Sequence, residues 1–421
     1  VAVEDRPDTL YDPAEAMAPE VRAERQARRL RAALAAAYAA APAVRARMEA
    51  CGLHPDRVRD VADLRDLPIL RKDALPQLHA ASPPFGGLLG APVGALRRIF
   101  VSPGPIYDPE PAGVDYWGMA PALHAAGFRA GDIALVTFSF HLTPAGHMMD
   151  GALQQLGCVV VPGGVGNTET QARALGDLGV TGLVGTPSFM ATLLERARAL
   201  GVPHRVRRGL GSAEPLPESL RQRLRDEFGV RVTQAYAIAD LGLVAYECPL
   251  AQGLHVSDRV VVEVLDPETG HPVPAGEAGE VVLTLLEPPY ALIRFGTGDL
   301  ASALPGACPC GRTAPRISPL LGRVGEAVKI RGLFVHPSEA ERVLRAVPEV
   351  ARYQVVVERP RDQDEATVRV EVRPGADPEA AAARVARAVQ EGLRLRVRVE
   401  PVPAGTIEEG APRILDLRRW R

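Results

Sequence analysis

Between residues 99 and 184 the chain alternates short apolar runs with amphipathic stretches, and this rhythm sets the expected fold. Residues 134–138, 158–161 and 182–184 are continuous apolar runs of strand length, while 149–156 and 168–178 carry apolar residues at helical spacing. A helix over 217–228 followed by a strand over 230–235 repeats the unit. Strands alternating with helices predict a mostly parallel sheet covered on both faces. Residues 259–264 and 279–286 flank two turn-rich stretches, Asp266-Pro-Glu-Thr-Gly270 and Pro274-Ala-Gly-Glu277, which predicts an antiparallel hairpin.

The two ends differ from this middle. Residues 15–48 are rich in Ala, Arg and Glu with leucines at helical spacing, so 1–98 is expected to be a largely helical preface. Past Gly322 the pattern predicts a helix over 338–346, strands over 353–358 and 366–372, a helix over 378–393 and a strand over 396–401. The expected class is α/β: a large domain over 1–322 with mixed, mostly parallel sheets, then a small, mobile α+β domain over 323–421. The joint would lie near Arg323-Val324-Gly325.

Composition narrows the partners. The chain has 421 residues, 47% of them hydrophobic, enough for a sizeable core and two or three domains. A net charge of -2 argues against nucleic acid held by bulk electrostatics. Only Lys72 and Lys329 are lysines, so the basic residues are nearly all arginine and their runs carry no functional weight. No apolar run approaches the roughly 20 residues that cross a bilayer. Glu15, Glu20 and Glu24 speak against a targeting peptide at the start. A cytoplasmic protein without membrane partners is expected.

Three of the five cysteines keep company. Cys248 precedes His255, and Cys308 and Cys310 form a C-x-C beside Gly306 and Gly311. Three thiols and an imidazole suit tetrahedral Zn²⁺, and a closed set of four implies a structural metal. The alternative is two unrelated reduced pairs.

Other motifs appear in a telling order: Gly211-Ser-Ala-Glu-Pro215, Thr233-Gln-Ala-Tyr-Ala-Ile-Ala-Asp240, Thr297-Gly-Asp299, Arg323 and Ser338-Glu339. With the cysteine motif they resemble the adenylate-forming ligases, most closely the phenylacetate-CoA ligase branch, over about residues 99–413. The resemblance implies that Ala213, Glu214 and Pro215 line the adenine pocket, that Tyr236 stacks on the base and that Asp240 helps hold Mg²⁺. It implies that Asp299 receives both ribose hydroxyls and that Arg323 reaches the nucleotide from the hinge; Asp240 and Arg323 are the expected catalytic residues. Ser338 would cap the helix that opens the small domain. Phe138, Phe140 and His141 sit at a strand end, where open α/β sheets bind ligands, and with Ala213 they form the candidate substrate pocket. Relatives carry a similar cysteine pattern, which supports the zinc reading. The implied partners are a small aryl or acyl acid, AMP or ATP, and CoA, with a homodimer as a candidate assembly.

The departures concern phosphate. Where the family has a Ser/Thr/Gly run ending in Lys, this chain reads Val101-Ser-Pro-Gly-Pro-Ile-Tyr-Asp-Pro109, whose prolines lack amide donors and whose Asp108 repels phosphate. The acid of the adenine motif is the shorter Asp240 after Ala239, which makes Mg²⁺ the weakest of the expected ligands. The family's C-terminal catalytic lysine is replaced by the stretch Glu408-Glu-Gly-Ala-Pro-Arg413. Lost donors to developing charge typically cost about 2.7–4 kcal/mol each. Impaired adenylation is therefore expected; the alternatives are an active AMP-forming aryl-CoA ligase with a rebuilt loop, or a non-catalytic acyl-CoA or nucleotide sensor.

Overall fold

The computed structural model describes residues 10–102, 105–287, 289–324, 328–330, 333–335, 337–358, 365–393 and 395–418. Two compact units emerge. The larger takes residues 1–263, 282–297 and 303–319, and the smaller takes 264–281, 298–302 and 320–421. The small unit thus draws in two segments upstream of the boundary expected at residue 322.

The larger unit is built on a run of strands in the order Arg316–Ile317, Leu254–Val256, Gly242–Glu247, Arg231–Ile238, Arg208–Gly211, Gly182–Gly185, Ile133–Val136 and Val159–Pro162. The last five pair in parallel, as the alternating pattern requires. Every residue of Gly182–Gly185 and Arg208–Gly211 is buried, because helices cover both faces. Those helices are Ala145–Gln155, Thr168–Asp177, Pro187–Ala199 and Glu218–Phe228. Their apolar faces close two core clusters, one around Trp117, Phe128 and Val136 and one around Leu183, Leu194 and Val232. Parallel pairing gives way to antiparallel at Gly242, where a reversal brings Tyr236 opposite Ala245. A side chain at Gly242 would sit 2.4 Å from the Trp117 carbonyl, and its φ is +85°, so only glycine fits that turn.

The preface is helical as expected, over Pro19–Ala40 and Pro42–Ala50, each begun by a proline whose missing N–H costs nothing in a first turn. It also contains a feature absent from the sequence reading. Leu70 and Arg71 pair in parallel with Phe295 and Gly296, and this fixes the turn Lys72–Ala74 that follows.

The strands Val260–Leu265, Ala278–Leu285 and Phe295–Leu304 each give residues to both units, and the first two are neighbours as the hairpin pattern predicted. The rest of the small unit is a four-stranded sheet in the order Arg398–Val402, Glu365–Val372, Val350–Glu358 and Ile414–Asp416. Pro337–Arg345 and Pro378–Gly392 pack on it around Val343, Val355, Val368 and Val385. Its elements fall where the periodicity put them, and the described residues add the antiparallel pair Val328–Ile330 with Leu333–Val335 and the strand Ile414–Asp416, which joins in parallel with Val350–Glu358. Its first helix begins at Pro337, so Ser338 lies inside the first turn rather than capping it. Of the expected joint, Gly325 lies outside the described residues, as do Pro103 and Gly104 of the phosphate segment.

Candidate active site and metal centre

The strands Leu96–Ser102 and Ile106–Pro111 pair antiparallel on either side of the expected phosphate-loop segment. Phe100 faces Asp108 across this pairing, and Ser102 faces Ile106. The Asp108 side chain turns inward and is fully buried. Ser102, the hydroxyl that survives from the family's loop, donates to this carboxylate. Burial, and next the charge of Asp240, push the Asp108 carboxyl up to about 7. Ser102 and Lys72 act in the opposite direction without cancelling that shift.

Asp240 occupies the reversal between Arg231–Ile238 and Gly242–Glu247 and is 1% exposed. Lys72 Nζ lies 2.5 Å from its Oδ2. The lysine arrives from a segment 168 positions away, held by the short parallel pairing to Phe295. One oxygen of each carboxylate, Oδ1 of Asp108 and of Asp240, is buried without a hydrogen-bond donor. The neighbourhood registers this negative charge. Burial, then Asp240 and Asp108, raise Tyr290 well above its ordinary value. His79 is lowered by burial, with Asp240 opposing. His79 ties these groups together: its Nδ1 accepts from the Tyr107 amide at 3.3 Å, and its Nε2 lies 3.3 Å from the Tyr290 hydroxyl. The cluster thus gathers two acids around one ammonium, with Lys72 on Asp240 and the Asp108 carboxyl pushed toward its protonated form by burial.

The remaining sequence candidates of the larger unit cluster at strand ends. Tyr236 is buried in its strand at 6% exposure. Ala213 adopts a left-handed φ of +68°, which turns the chain out of Arg208–Gly211. Glu214 follows, and its carboxylate accepts the Ser188 amide in the first turn of Pro187–Ala199, a favourable position for an anion. Pro215 is exposed at the end of that turn. Phe138 is part of the core, whereas Phe140 packs on its margin with its ring 5.2 Å from His147. His141 is exposed, and its amide donates to Ser139 Oγ at 3.0 Å. In the small unit Asp299 and Arg323 pair across two strands, Arg323 Nε to Asp299 Oδ1 at 3.3 Å. Arg413, near the place of the family's lysine, is engaged by Glu341 at 3.3 Å and lies 5.2 Å from the Tyr353 ring centre.

The thiol motif comes together in the larger unit. Cys248 follows Gly242–Glu247, His255 is central in Leu254–Val256, and Cys308 and Cys310 occupy the turn before Arg316–Ile317. All four ligand atoms lie within 4.8 Å of one another. Cys248 Sγ is 3.8 Å from Cys308 Sγ, and Cys310 Sγ is 3.5 Å from His255 Nε2. A tetrahedral zinc with ordinary bond lengths separates its ligands by about 3.5–3.8 Å. Burial pushes the Cys248 thiol up to about 12. Beside the quartet, buried Arg312 pairs with Glu15 at 3.0 Å, and Tyr246 donates to the same carboxylate at 3.0 Å. These residues, and Lys72, escaped the sequence reading; for Lys72 the available signal was its rarity in an arginine-rich chain.

With this geometry in place the family can be stated. The model of the AMP-binding enzymes matches residues 115–284, and that of the AMP-binding enzyme C-terminal domain matches 332–418. The phenylacetate-coenzyme A ligase of Thermus thermophilus is 32% identical over 94% of this chain and 96% of its own. That of Pseudomonas putida is 30% identical over 88% of this chain and 86% of its own. The chain is a phenylacetate-CoA ligase-like member of the adenylate-forming family. An open-conformation structure of 2-hydroxyisobutyryl-CoA ligase with 2-HIB-AMP and CoA superposes with a TM-score of 0.87 at 24% identity, covering 99% of this chain and 97% of its own, which establishes the common fold. The same enzyme in its postadenylation state, with R3-HIB-AMP, superposes at 0.74 with 25% identity, covering 99% of this chain and 94% of its own. Among the described residues no helix is long and apolar enough to cross a membrane.

Proposed function

We propose that this protein binds an adenine nucleotide at the monophosphate level, a small aryl or acyl acid and CoA, and that its ATP-dependent adenylation is impaired. The observation that carries this reading is the buried Asp108 carboxylate, bonded by Ser102 and set against a second carboxylate, Asp240, that Lys72 already engages. Ser102 and Lys72, donors that could face the β- and γ-phosphates, are turned to these two acids instead, and at Asp240 the lysine gives Mg²⁺ a competitor tethered to the chain.

Each remaining residue keeps the role its chemistry allows. Tyr236 offers a ring to the adenine, with Ala213, Glu214 and Pro215 at the pocket edge. Asp299 offers two acceptor oxygens to the ribose hydroxyls, and Arg323, exposed beside Asp299, supplies charge to a single phosphate. Phe138, Phe140 and His141 border the acid. Cys248, His255, Cys308 and Cys310 hold one structural Zn²⁺, whose separation of ligand atoms they match. Relatives and neighbours named for acyl-CoA ligation support CoA and an acyl adenylate as ligands.

ATP–pyrophosphate exchange across a panel of aryl and short acyl acids tests the reading. Exchange near background, with AMP binding at least as tightly as ATP–Mg²⁺ by calorimetry, is the expected result. Robust exchange overturns it and makes the chain a working ligase with a rebuilt phosphate segment.

A further inference from the structure

A cavity of about 310 Å³ lies in the larger unit, bordered by the Glu15, Tyr246 and Arg312 group but by none of the proposed metal ligands or nucleotide-site residues. Its volume is at the lower end of the range of small-molecule pockets, about 300–1,000 Å³. One wall is a face of the first long helix, where Arg22, Arg25 and Arg29 recur at helical spacing; Ser257 to Arg259 form another. Tyr11, Pro121 and Tyr246 supply apolar surface.

The lining contains acids as well as arginines, and each acid has a partner: Asp12 accepts the Ala14 amide at 2.8 Å. Glu15 accepts from Tyr246 at 3.0 Å and pairs with Arg312, while Asp115 accepts the amides of Met119 and Ala120 at 2.9 Å. Asp258 takes Arg22, and Glu287 takes Arg29 at 3.0 Å and Arg259 at 2.7 Å. The unmet valence is on the donor side. Arg22 Nε and Arg259 Nη2 are buried without an acceptor. Arg25 reaches Asp258 only at 3.9 Å and keeps 36% of its side chain exposed. Buried donors without acceptors are costly, so the field of a nearby anion is favourable here.

We propose that this cavity is a second ligand site, for a small organic anion with an apolar body, whose carboxylate or phosphate-monoester head is held by Arg25 under the field of Arg22 and Arg259. Arg259 also donates to the carbonyls of Trp117 at 2.6 Å and Leu241 at 2.9 Å, so the cavity wall and the Asp240 turn share one guanidinium.

Equilibrium dialysis of the full chain with benzoate and with phenyl phosphate tests this, using benzyl alcohol as the neutral control and comparing the wild type with Arg25→Glu and Ala314→Trp. Arg25 is on the surface, so its variant keeps the fold; circular dichroism melts verify both. Saturable binding of at least one anion is expected, weakened about tenfold or more by Arg25→Glu and reduced by one equivalent in Ala314→Trp. The probe that binds identifies the head group. Three results overturn the proposal: no saturable binding of either anion, binding that Arg25→Glu leaves intact, or benzyl alcohol binding as well as the anions.

Discussion

The carboxylate cluster and the thiol cluster meet one electrostatic problem in opposite ways. Both gather groups that repel one another in their charged forms, and both bury most of them. Around Asp108 and Asp240 the balancing cation is a lysine of the chain, and one acid escapes the conflict by holding a proton near neutral pH. Around Cys248, Cys308 and Cys310 the donors are soft and their spacing matches a metal, so in the proposed zinc site the balancing cation comes from outside. A tethered cation makes a site self-sufficient. A borrowed one makes it depend on supply.

The sharpest test of this contrast is to remove one ligand from the borrowed-cation site. Cys310→Ser should abolish stoichiometric zinc by elemental analysis and lower the melting temperature by roughly 10 °C or more, because a structural zinc contributes folding energy outright. Wild-type protein free of zinc after purification without chelators would dissolve the comparison.

Removing the tethered cation comes next. Lys72→Ala strands a buried carboxylate, which typically costs about 3–5 kcal/mol in denaturant unfolding. The double change Lys72→Ala with Asp240→Asn should cost clearly less than Lys72→Ala alone, since no charge is then left without a partner. Equal losses would mean that the pair contributes packing rather than charge balance.

A pH titration separates the clusters further. Asp108 has a folded pKa above its unfolded one, so the folded state binds the extra proton. Its contribution to stability is full below about 4 and is lost as pH rises through about 7, with a slope of at most about 1.4 kcal/mol per pH unit. Asp108→Asn should flatten that slope and leave the protein more stable than wild type at pH 8. Parallel stability–pH curves for the two proteins would remove Asp108 from the account. The smallest effect is expected from Ser102→Ala, which removes one hydrogen bond to Asp108 and should cost about 1 kcal/mol.

The same contrast governs what the sequence reveals. The parallel strands and the small domain were legible because burial on two faces writes continuous apolar runs, and burial on one face writes alternation. The metal ligands were legible because a C-x-C and a nearby Cys and His carry their chemistry in residue type. The antiparallel pair Leu96–Ser102 with Ile106–Pro111 was not, since Pro103, Pro105 and Pro109 read as loop, although Pro109 sits within a strand. Nor was the Lys72–Asp240 pair, which joins residues 168 positions apart through a two-residue strand too short to leave a pattern. Glu214 shows a third case: the motif marks the residue, but only the structure places its carboxylate on the Ser188 amide.

The scarcity of lysine gives the ion pair at Asp240 a practical value. A chain with two ammonium side chains, grown on nitrogen-15 lysine, has at most two side-chain resonances of that kind to assign. The one from Lys72, 2.5 Å from a buried oxygen, is expected to exchange its protons more slowly than a free ammonium, which would let it be followed in the intact protein. Its disappearance on adding a nucleotide would report the moment at which the ligand takes the lysine away from Asp240.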